Sequence, residues 1–275
     1  MKTWLITGCS SGIGKGIAKA VLENGDQAVI TARDEGKLAE LATQYPDTCL
    51  PVSLEICDRK SVDEAVKKAV ERFGSIDMLV NNAGHGYRAA VEEGEDAGIA
   101  DVIETNFFGP VYLINRVLPM MREKRSGAIV NVTSIAGVRS AIGSGYYAAS
   151  KSSLEMVSEA LYQEVTPLGI KVMIVEPGAF RTKFYDEALK GTTKPIADYA
   201  ETAGKRHVEN LTNNHDQLGN PDKGGRVIVD TIEQDVYPKR LALGSDAARV
   251  VEKTLTDRLA EVQAWKEVSG KSDFD

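Results

Sequence analysis

The feature that most constrains the fold is an alternation of short apolar runs with longer stretches of helical periodicity. Runs such as Met78–Val80 and Ala128–Val130 are continuously apolar, as strands covered on both faces should be. Alternation of this kind predicts a parallel sheet with helices on both of its faces. No linker, repeat or change of composition divides the chain.

We therefore predict an α/β fold: a single doubly wound Rossmann-type domain over residues 1–275, with a parallel sheet of about seven strands. The predicted strands are Lys2–Thr7, Gln27–Ala32, Thr48–Leu54, Ile76–Asn81, Ala128–Thr133 and Lys171–Glu176. The predicted helices are Ile13–Asn24, Glu35–Gln44, Arg59–Phe73, Gly98–Lys124 and Tyr146–Thr166. The pattern fails between about Ala179 and Pro238, which we interpret as an insertion that covers the substrate and contains short helices.

Charge and composition limit the classes of partner that the chain can bind. A net charge of −7 disfavours nucleic acid and anionic membranes, which would repel the chain. No apolar run is long enough to span a bilayer, and the strand-like start at Met1–Thr7 leaves no room for a signal peptide. Cys9, Cys49 and Cys57 show no disulfide or metal spacing, so we expect free thiols, a cytoplasmic protein and no metal site.

In open parallel sheets, ligands bind beyond the carboxyl ends of the strands. The first predicted strand is followed by Gly8–Gly14, which has the spacing G-x-x-x-G-x-G. Glycines let the backbone approach a pyrophosphate, and the N-terminus of the next helix favours negative charge. A phosphate-binding P-loop is excluded because Gly16 stands where that loop needs Ser or Thr.

The end of the second predicted strand indicates which dinucleotide binds. An acidic residue there would favour NAD by accepting from the ribose hydroxyls. Here the strand ends at Ala32 and is followed by Arg33, whose guanidinium can bind a 2′-phosphate with two hydrogen bonds. We therefore expect NADP(H) to be preferred over NAD(H), although Asp34 next to Arg33 can partly offset its charge.

Five motifs in this order resemble the short-chain dehydrogenase/reductase superfamily, in its branch of compact subunits. They are the Gly8–Gly14 loop, Asn81-Asn82-Ala83-Gly84, Ser134, Tyr147-Ala148-Ala149-Ser150-Lys151, and Pro177-Gly178 with Thr182. The resemblance covers residues 1 to about 182, with a last strand and helix near Arg240–Trp265. It implies cofactor contacts at Gly8, Ser10, Ser11, Gly12, Ile13, Gly14, Arg33, Glu55, Ile56, Asn82, Ala83, Gly84, Tyr147, Lys151, Pro177, Gly178 and Thr182. Glu55 departs from the family, which usually has Asp beside the adenine.

The predicted catalytic residues are Asn106, Ser134, Tyr147 and Lys151. Tyr147 and Lys151 are four residues apart on a predicted helix and therefore share a face. We expect the Lys151 ammonium to lower the pKa of Tyr147, which then serves as general acid or base while Ser134 holds the substrate oxygen. The resemblance adds that Lys151 binds the nicotinamide ribose.

Asn106 lies four residues before Pro110 in a predicted helix. Because proline has no N–H, the Asn106 carbonyl loses its usual donor and we expect a kink there. A free carbonyl facing the cleft would hold the water of a proton relay from Lys151, which is the role that the resemblance implies. The alternative is a hydrated bend with no function.

The sequence thus predicts an oxidoreductase that interconverts a carbonyl compound and an alcohol. Weak similarity to hydroxysteroid- and retinol-dehydrogenase-like reductases favours an apolar substrate, and the family commonly forms homodimers or homotetramers. A non-catalytic NADP-binding sensor and a sugar-nucleotide epimerase or dehydratase are the alternatives. The intact Ser134, Tyr147 and Lys151 set argues against the first, and the glycine spacing argues against the second.

Overall fold

The computed structural model describes residues 1–212 and 216–274. Its centre is a seven-stranded parallel sheet in the order β3-β2-β1-β4-β6-β7-β9, and a second, two-stranded sheet pairs β5 with β8. The strands are β1 (Thr3–Ile6), β2 (Gln27–Ala32), β3 (Cys49–Ser53), β4 (Met78–Asn81), β5 (Gly86–Arg88), β6 (Gly127–Val132), β7 (Ile170–Pro177), β8 (Leu189–Gly191) and β9 (Arg240–Leu243). The strand order reverses direction between β1 and β4, so the ligand-binding crevice is expected there.

Helices cover both faces of the central sheet. They are α1 (Gly12–Glu23), α2 (Ala39–Gln44), α3 (Arg59–Phe73), α4 (Asp96–Ile103), α5 (Gly109–Lys124), α6 (Ile135–Val138), α7 (Gly145–Val165), α8 (Lys205–Thr212), α9 (Pro221–Glu233) and α10 (Ser245–Gly270). One core lies between the sheet and α1 with α9, and the other lies between the sheet and α3, α5 and α7. Within the described part of the chain, no helix combines the length and apolar character needed to cross a bilayer.

The predicted fold class is confirmed, and each predicted strand is observed within two residues of its expected ends. The predicted helix Glu35–Gln44 divides into a 3-10 turn, Glu35–Leu38, and α2. The predicted helix Gly98–Lys124 contains α4 and α5 joined by a π-helical turn at Glu104–Phe108. The irregularity expected before Pro110 is this turn, in which the Gly109 N–H donates to the carbonyl of Glu104.

The irregular segment Ala179–Pro238 has two structurally different parts, and its residues 213–215 lie outside the described residues. The first part contains β8 and α8 beside the cleft. The second part is α9, whose Ile228, Val229 and Ile232 are buried against α1. The expected cover over the substrate therefore does not extend through α9, because this helix belongs to the core.

Glycines allow α9 to pack so closely on α1. A Cβ atom on Gly16 would lie 2.3 Å from the carbonyl oxygen of Pro221. A Cβ atom on Gly225 would lie 2.2 Å from the carbonyl carbon of Gly16. Both distances are shorter than real carbon contacts, so the two backbones touch where neither residue has a side chain. This contact fixes the helix that starts at the glycine loop.

Candidate active site

A cleft of about 610 Å³ opens at the carboxyl ends of the central strands. Every residue predicted to contact the cofactor lines this cleft, and so does Ser134. Asn106 is the predicted site residue that does not line it. The sequence motifs are therefore brought together in one continuous site, with Asn106 behind its wall.

The glycine loop at one end of the cleft depends on backbone conformations and close contacts that suit glycine. Gly8 and Gly12 have positive φ angles of 74° and 60°. A Cβ atom on Gly14 would lie 2.3 Å from the carbonyl oxygen of Gly8. The loop thus presents bare backbone next to the N-terminus of α1, which is an arrangement suited to a pyrophosphate.

Side chains on two loops fix this geometry. The Asn82 Nδ2 donates to the carbonyl of Thr7 at 2.9 Å and lies 3.2 Å from that of Gly8. In return the Thr7 hydroxyl accepts from the backbone N–H groups of Asn82 and Ala83 at 2.9 and 3.0 Å. Thr7 was not among the predicted site residues. Its position at the end of β1, one residue before the first glycine, was the available signal.

The part of the cleft where adenosine contacts are predicted is lined by Arg33, Glu55 and Ile56. The carboxylate of Asp34 accepts from the backbone N–H of Gly36 at 3.0 Å and caps the following turn. Glu55 also has a local contact, since its carboxylate accepts from the backbone N–H of Cys57 at 3.4 Å. Arg33 is exposed at the mouth of the cleft.

At the other end of the cleft, Tyr147 is buried with its ring 5.7 Å from that of Phe184. Burial raises the pKa of Tyr147, while a hydrogen bond to Ser134 and the positive charge of Arg88 act against this rise. The predicted lowering of this pKa by Lys151 is thus wrong for this structure. Loss of solvent dominates, and the opposing charge belongs to Arg88.

Lys151 is buried one helical turn along α7, and its Nζ donates to the carbonyl of Val132 at 3.0 Å. Burial lowers the pKa of Lys151 to about 8, although the nearby Glu155 carboxylate acts in the opposite direction. A Cβ atom on Gly84 would lie 3.2 Å from Nζ, so the turn after β4 closes directly over the ammonium.

Asn106 has no solvent exposure and links three elements through its side chain. Its Oδ1 accepts from the backbone N–H of His85 at 3.0 Å, and its Nδ2 donates to the His85 carbonyl at 2.9 Å and to the Ser150 hydroxyl at 3.0 Å. The Ser150 hydroxyl in turn donates to the carbonyl of Tyr147. Asn106 therefore positions the turn over Lys151 and the helix that carries Tyr147.

Two further features of the site were missed by sequence analysis. Glu155 is buried behind Lys151 and accepts from the Thr133 hydroxyl at 2.9 Å. Burial raises its pKa to about 7, and the negative charge of Glu176 adds to this effect. Arg88 lines the cleft near Tyr147 and is partly desolvated. Glu155 lies one turn after Lys151 on the same helix face, which was a usable signal, whereas Arg88 comes from a strand too short to predict.

Tyr146 behaves as its position on α7 predicts. Its hydroxyl donates to the carbonyl of Val91 at 2.6 Å, and its ring packs 6.2 Å from that of Tyr87. Tyr146 does not line the cleft, so Tyr147 is the tyrosine of this helix that faces it.

The fold and this site define a nicotinamide-binding oxidoreductase. A family model described as short chain dehydrogenase matches residues 2–192, and the chain belongs to that family. It is 34% identical to an oxidoreductase of Botryotinia fuckeliana named BOA17, over 98% of both chains. It is 38% identical to a 3-ketodihydrosphingosine reductase of Bacteroides thetaiotaomicron, over 72% of this chain and 71% of the relative.

Solved structures agree with this assignment. A short-chain dehydrogenase from Streptomyces avermitilis superposes with a TM-score of 0.92 at 39% identity, over 99% of this chain and 98% of that one. An alcohol dehydrogenase from Thermococcus sibiricus, solved with 5-hydroxy-NADP, superposes with a TM-score of 0.72 at 26% identity, over 88% and 95% of the two chains. The protein is therefore an oxidoreductase that uses a nicotinamide cofactor.

The buried Glu155 makes stability depend on pH. A carboxyl whose pKa is raised by folding binds its proton more tightly in the native state, so native stability falls as pH rises from the unfolded to the folded value. We expect Glu155→Gln to become more stable relative to wild type as pH increases from 4.5 to about 7. The gain should be roughly 1–3 kcal/mol in the free energy of unfolding, measured by urea denaturation at several pH values.

Glu159→Gln, one turn further along α7, is the matched control. Contacts with Lys239 and Arg240 lower the pKa of Glu159 to about 2, so this carboxyl is ionised in both states above pH 5. Its stability difference from wild type should stay constant between pH 5 and 7. Equal pH dependence in the two variants would show that folding does not raise the pKa of Glu155.

Proposed function

We propose that this protein interconverts a ketone or aldehyde and the corresponding alcohol, using NADP(H) in preference to NAD(H) and Tyr147 as the general acid or base. The observation that carries the proposal is the phenol of Tyr147, buried in the cleft, hydrogen-bonded to Ser134 and one helical turn from Lys151. These groups supply and position a proton, which is what carbonyl reduction needs from the protein.

The residues around the cleft suit a nicotinamide dinucleotide. The glycine loop leaves room for a pyrophosphate at the start of α1, where a side chain on Gly14 would collide with the loop backbone. Thr182 lies against this loop, since a Cβ atom on Gly12 would be 3.1 Å from its methyl group. When bound, the cofactor supplies the hydride. Lys151, Pro177 and Gly178 would hold its nicotinamide end.

The raised pKa of Tyr147 favours reduction at neutral pH. A phenol whose pKa is raised stays protonated and can donate its proton to a carbonyl oxygen. Lys151, with a pKa of about 8, is able to exchange protons near neutral pH and would replace the proton that Tyr147 loses. Ser134 would orient the substrate oxygen toward the phenol.

The preference for NADP(H) rests on Arg33 and Asp34. Arg33 lies at the adenosine end of the cleft, where its guanidinium can contact a 2′-phosphate. The Asp34 carboxylate accepts from the backbone N–H of Gly36, which would hold it toward the next turn and favour Arg33 as the residue that contacts the cofactor here.

We further propose that residues 179–212 cover the substrate. Phe184, Tyr185, Ala188 and Arg206 of this segment line the cleft, so it forms the outer wall beside Tyr147. The aromatic rings there suit the apolar part of a substrate, in line with the name of the 3-ketodihydrosphingosine reductase relative. Assembly as a homodimer or homotetramer would place exposed Phe108, just before α5, and exposed Met156 of α7 within an interface.

Removing the phenol hydroxyl tests the proposed acid. Tyr147→Phe should reduce kcat by ~10²–10⁴, because general acid–base catalysis contributes that much. NADPH binding, followed by its fluorescence, should change little. Tyr146→Phe is the matched control, because it loses only a hydrogen bond to the Val91 carbonyl and should keep most of the activity. Normal turnover by Tyr147→Phe would exclude the mechanism.

Removing the Arg33 guanidinium tests the cofactor preference. Arg33→Ala should lower the NADPH-to-NADH ratio of kcat/KM by about 10–150-fold, since a hydrogen bond to a charged group contributes about 1.5–3 kcal/mol. Arg249→Ala, an exposed arginine of α10 outside the cleft, controls for the loss of a charge. A wild-type preference for NADH would contradict the proposal, and an unchanged ratio in Arg33→Ala would exclude Arg33 as its source.

A further inference from the structure

Arg88 is held firmly at the substrate end of the cleft. It ends β5, and its carbonyl accepts from the backbone N–H of Thr192, just after β8. The next residue, Ala89, donates its N–H to the carbonyl of Gly143 at 3.1 Å. The guanidinium itself donates through Nη1 to the hydroxyl of Ser144, the N-cap residue of α7. Arg88 is thus anchored to Ser144, which lies three residues before Tyr147. The contact joins β5 to the start of α7 in the wall of the cleft.

The hydrogen bonding of this guanidinium is incomplete. Its Nε is buried without a hydrogen-bond partner. Among the side chains that the structure describes, no carboxylate forms an ion pair with Arg88. A buried N–H of a charged group normally has an acceptor, because desolvation without one is costly. A bound molecule cannot reach this buried Nε, but Nη2 is neither buried nor hydrogen-bonded among the described residues, so the guanidinium keeps a donor that faces the cleft.

The charges around Arg88 favour an anion. Arg139, Lys190 and Arg206 also line the cleft, and the charge of Arg206 acts on Arg88, whereas Lys190 is paired with Asp101. Among the described residues that line the cleft, two are acidic, Glu55 and Asp101. The chain as a whole has a net charge of −7, so this local excess of positive charge is not a general property of its surface. A field of this sign would attract an anionic substrate.

We infer that the substrate carries a carboxylate as well as its carbonyl group, and that Arg88 binds this carboxylate beside Tyr147. The guanidinium fork matches the two oxygens of a carboxylate, and Ser144 fixes one side of the fork. This inference rests on the proposed function, because it concerns the same cleft. It refines the expected apolar substrate to one with an apolar body and one anionic end.

Two simpler roles for Arg88 predict different behaviour. A purely structural link to Ser144 would act on the start of α7 and on every substrate alike. An effect confined to the ionisation of Tyr147 would likewise change neutral and anionic substrates equally. Only contact with the substrate makes Arg88 discriminate between an acid and its neutral analogue, so the ratio between two such substrates separates substrate contact from both simpler roles.

The test compares 2-, 3- and 4-oxopentanoate with their methyl esters as NADPH-dependent substrates. For at least one pair, wild type should prefer the acid, and Arg88→Met should lower the acid-to-ester ratio of kcat/KM by about 10–100-fold. Arg88→Lys should lie between the two, because it keeps the charge and loses the fork. Arg122→Met, an exposed arginine outside the cleft, should keep the wild-type ratio.

An equal fall for acids and esters in Arg88→Met, or a wild-type preference for every ester, would overturn the inference and leave the proposed function intact. Binding of pentanoate and of pentanamide to the enzyme–NADP⁺ complex, measured by calorimetry, adds a readout that needs no turnover. Wild type and Arg122→Met should bind pentanoate more tightly than pentanamide, and Arg88→Met should lose this difference. The absence of any NADPH oxidation by carbonyl compounds would contradict the proposed function alone, whereas equal binding of the two probes by wild type would contradict the carboxylate site.

Discussion

The site depends on the contact between the glycine loop and the turn after β4. Asn82 and Thr7 exchange hydrogen bonds between these two segments, and neither Gly8, which lies against Ala83, nor Gly14, which lies against Gly8, has space for a side chain. This contact lies where the strand order reverses, so it forms the floor of the crevice. A shift of either loop would move the cofactor site and the turn over Lys151 together.

Burial shifts the pKa values of the ionisable groups around Tyr147. Tyr147, Lys151 and Glu155 are all removed from solvent, and desolvation favours the neutral form of each group. It therefore raises the pKa of Tyr147 and Glu155 and lowers the pKa of Lys151. In the mechanism that we propose, the raised pKa of Tyr147 keeps it a proton donor, and the lowered pKa of Lys151 allows it to exchange protons near neutral pH. One physical effect thus prepares both groups, and Arg88 contributes the positive charge that the sequence analysis assigned to Lys151.

The strands, helices and site residues that could be predicted from the sequence are those with a strong local pattern. The buried strands and long helices have clear periodicity, and the glycine loop, Ser134, Tyr147 and Lys151 follow strand ends or share one helix face. Arg88 could not be found in this way, because β5 has three residues and pairs only with distant β8. The capping role of Asp34 and the core position of α9 also depend on tertiary contacts. The pKa of Tyr147 was predicted with the wrong direction because the extent of burial was not available.

The central claim is that this cleft brings a nicotinamide and a carbonyl group together, with the proton supplied by the protein. The most direct test follows deuterium from NADPH labelled at the 4R or the 4S position during reduction of a carbonyl substrate. The account predicts that one of the two labelled cofactors, and not the other, delivers a single deuterium to the carbinol carbon, while the hydroxyl proton comes from solvent. An alcohol that carries no deuterium at the carbinol carbon from either cofactor would contradict it.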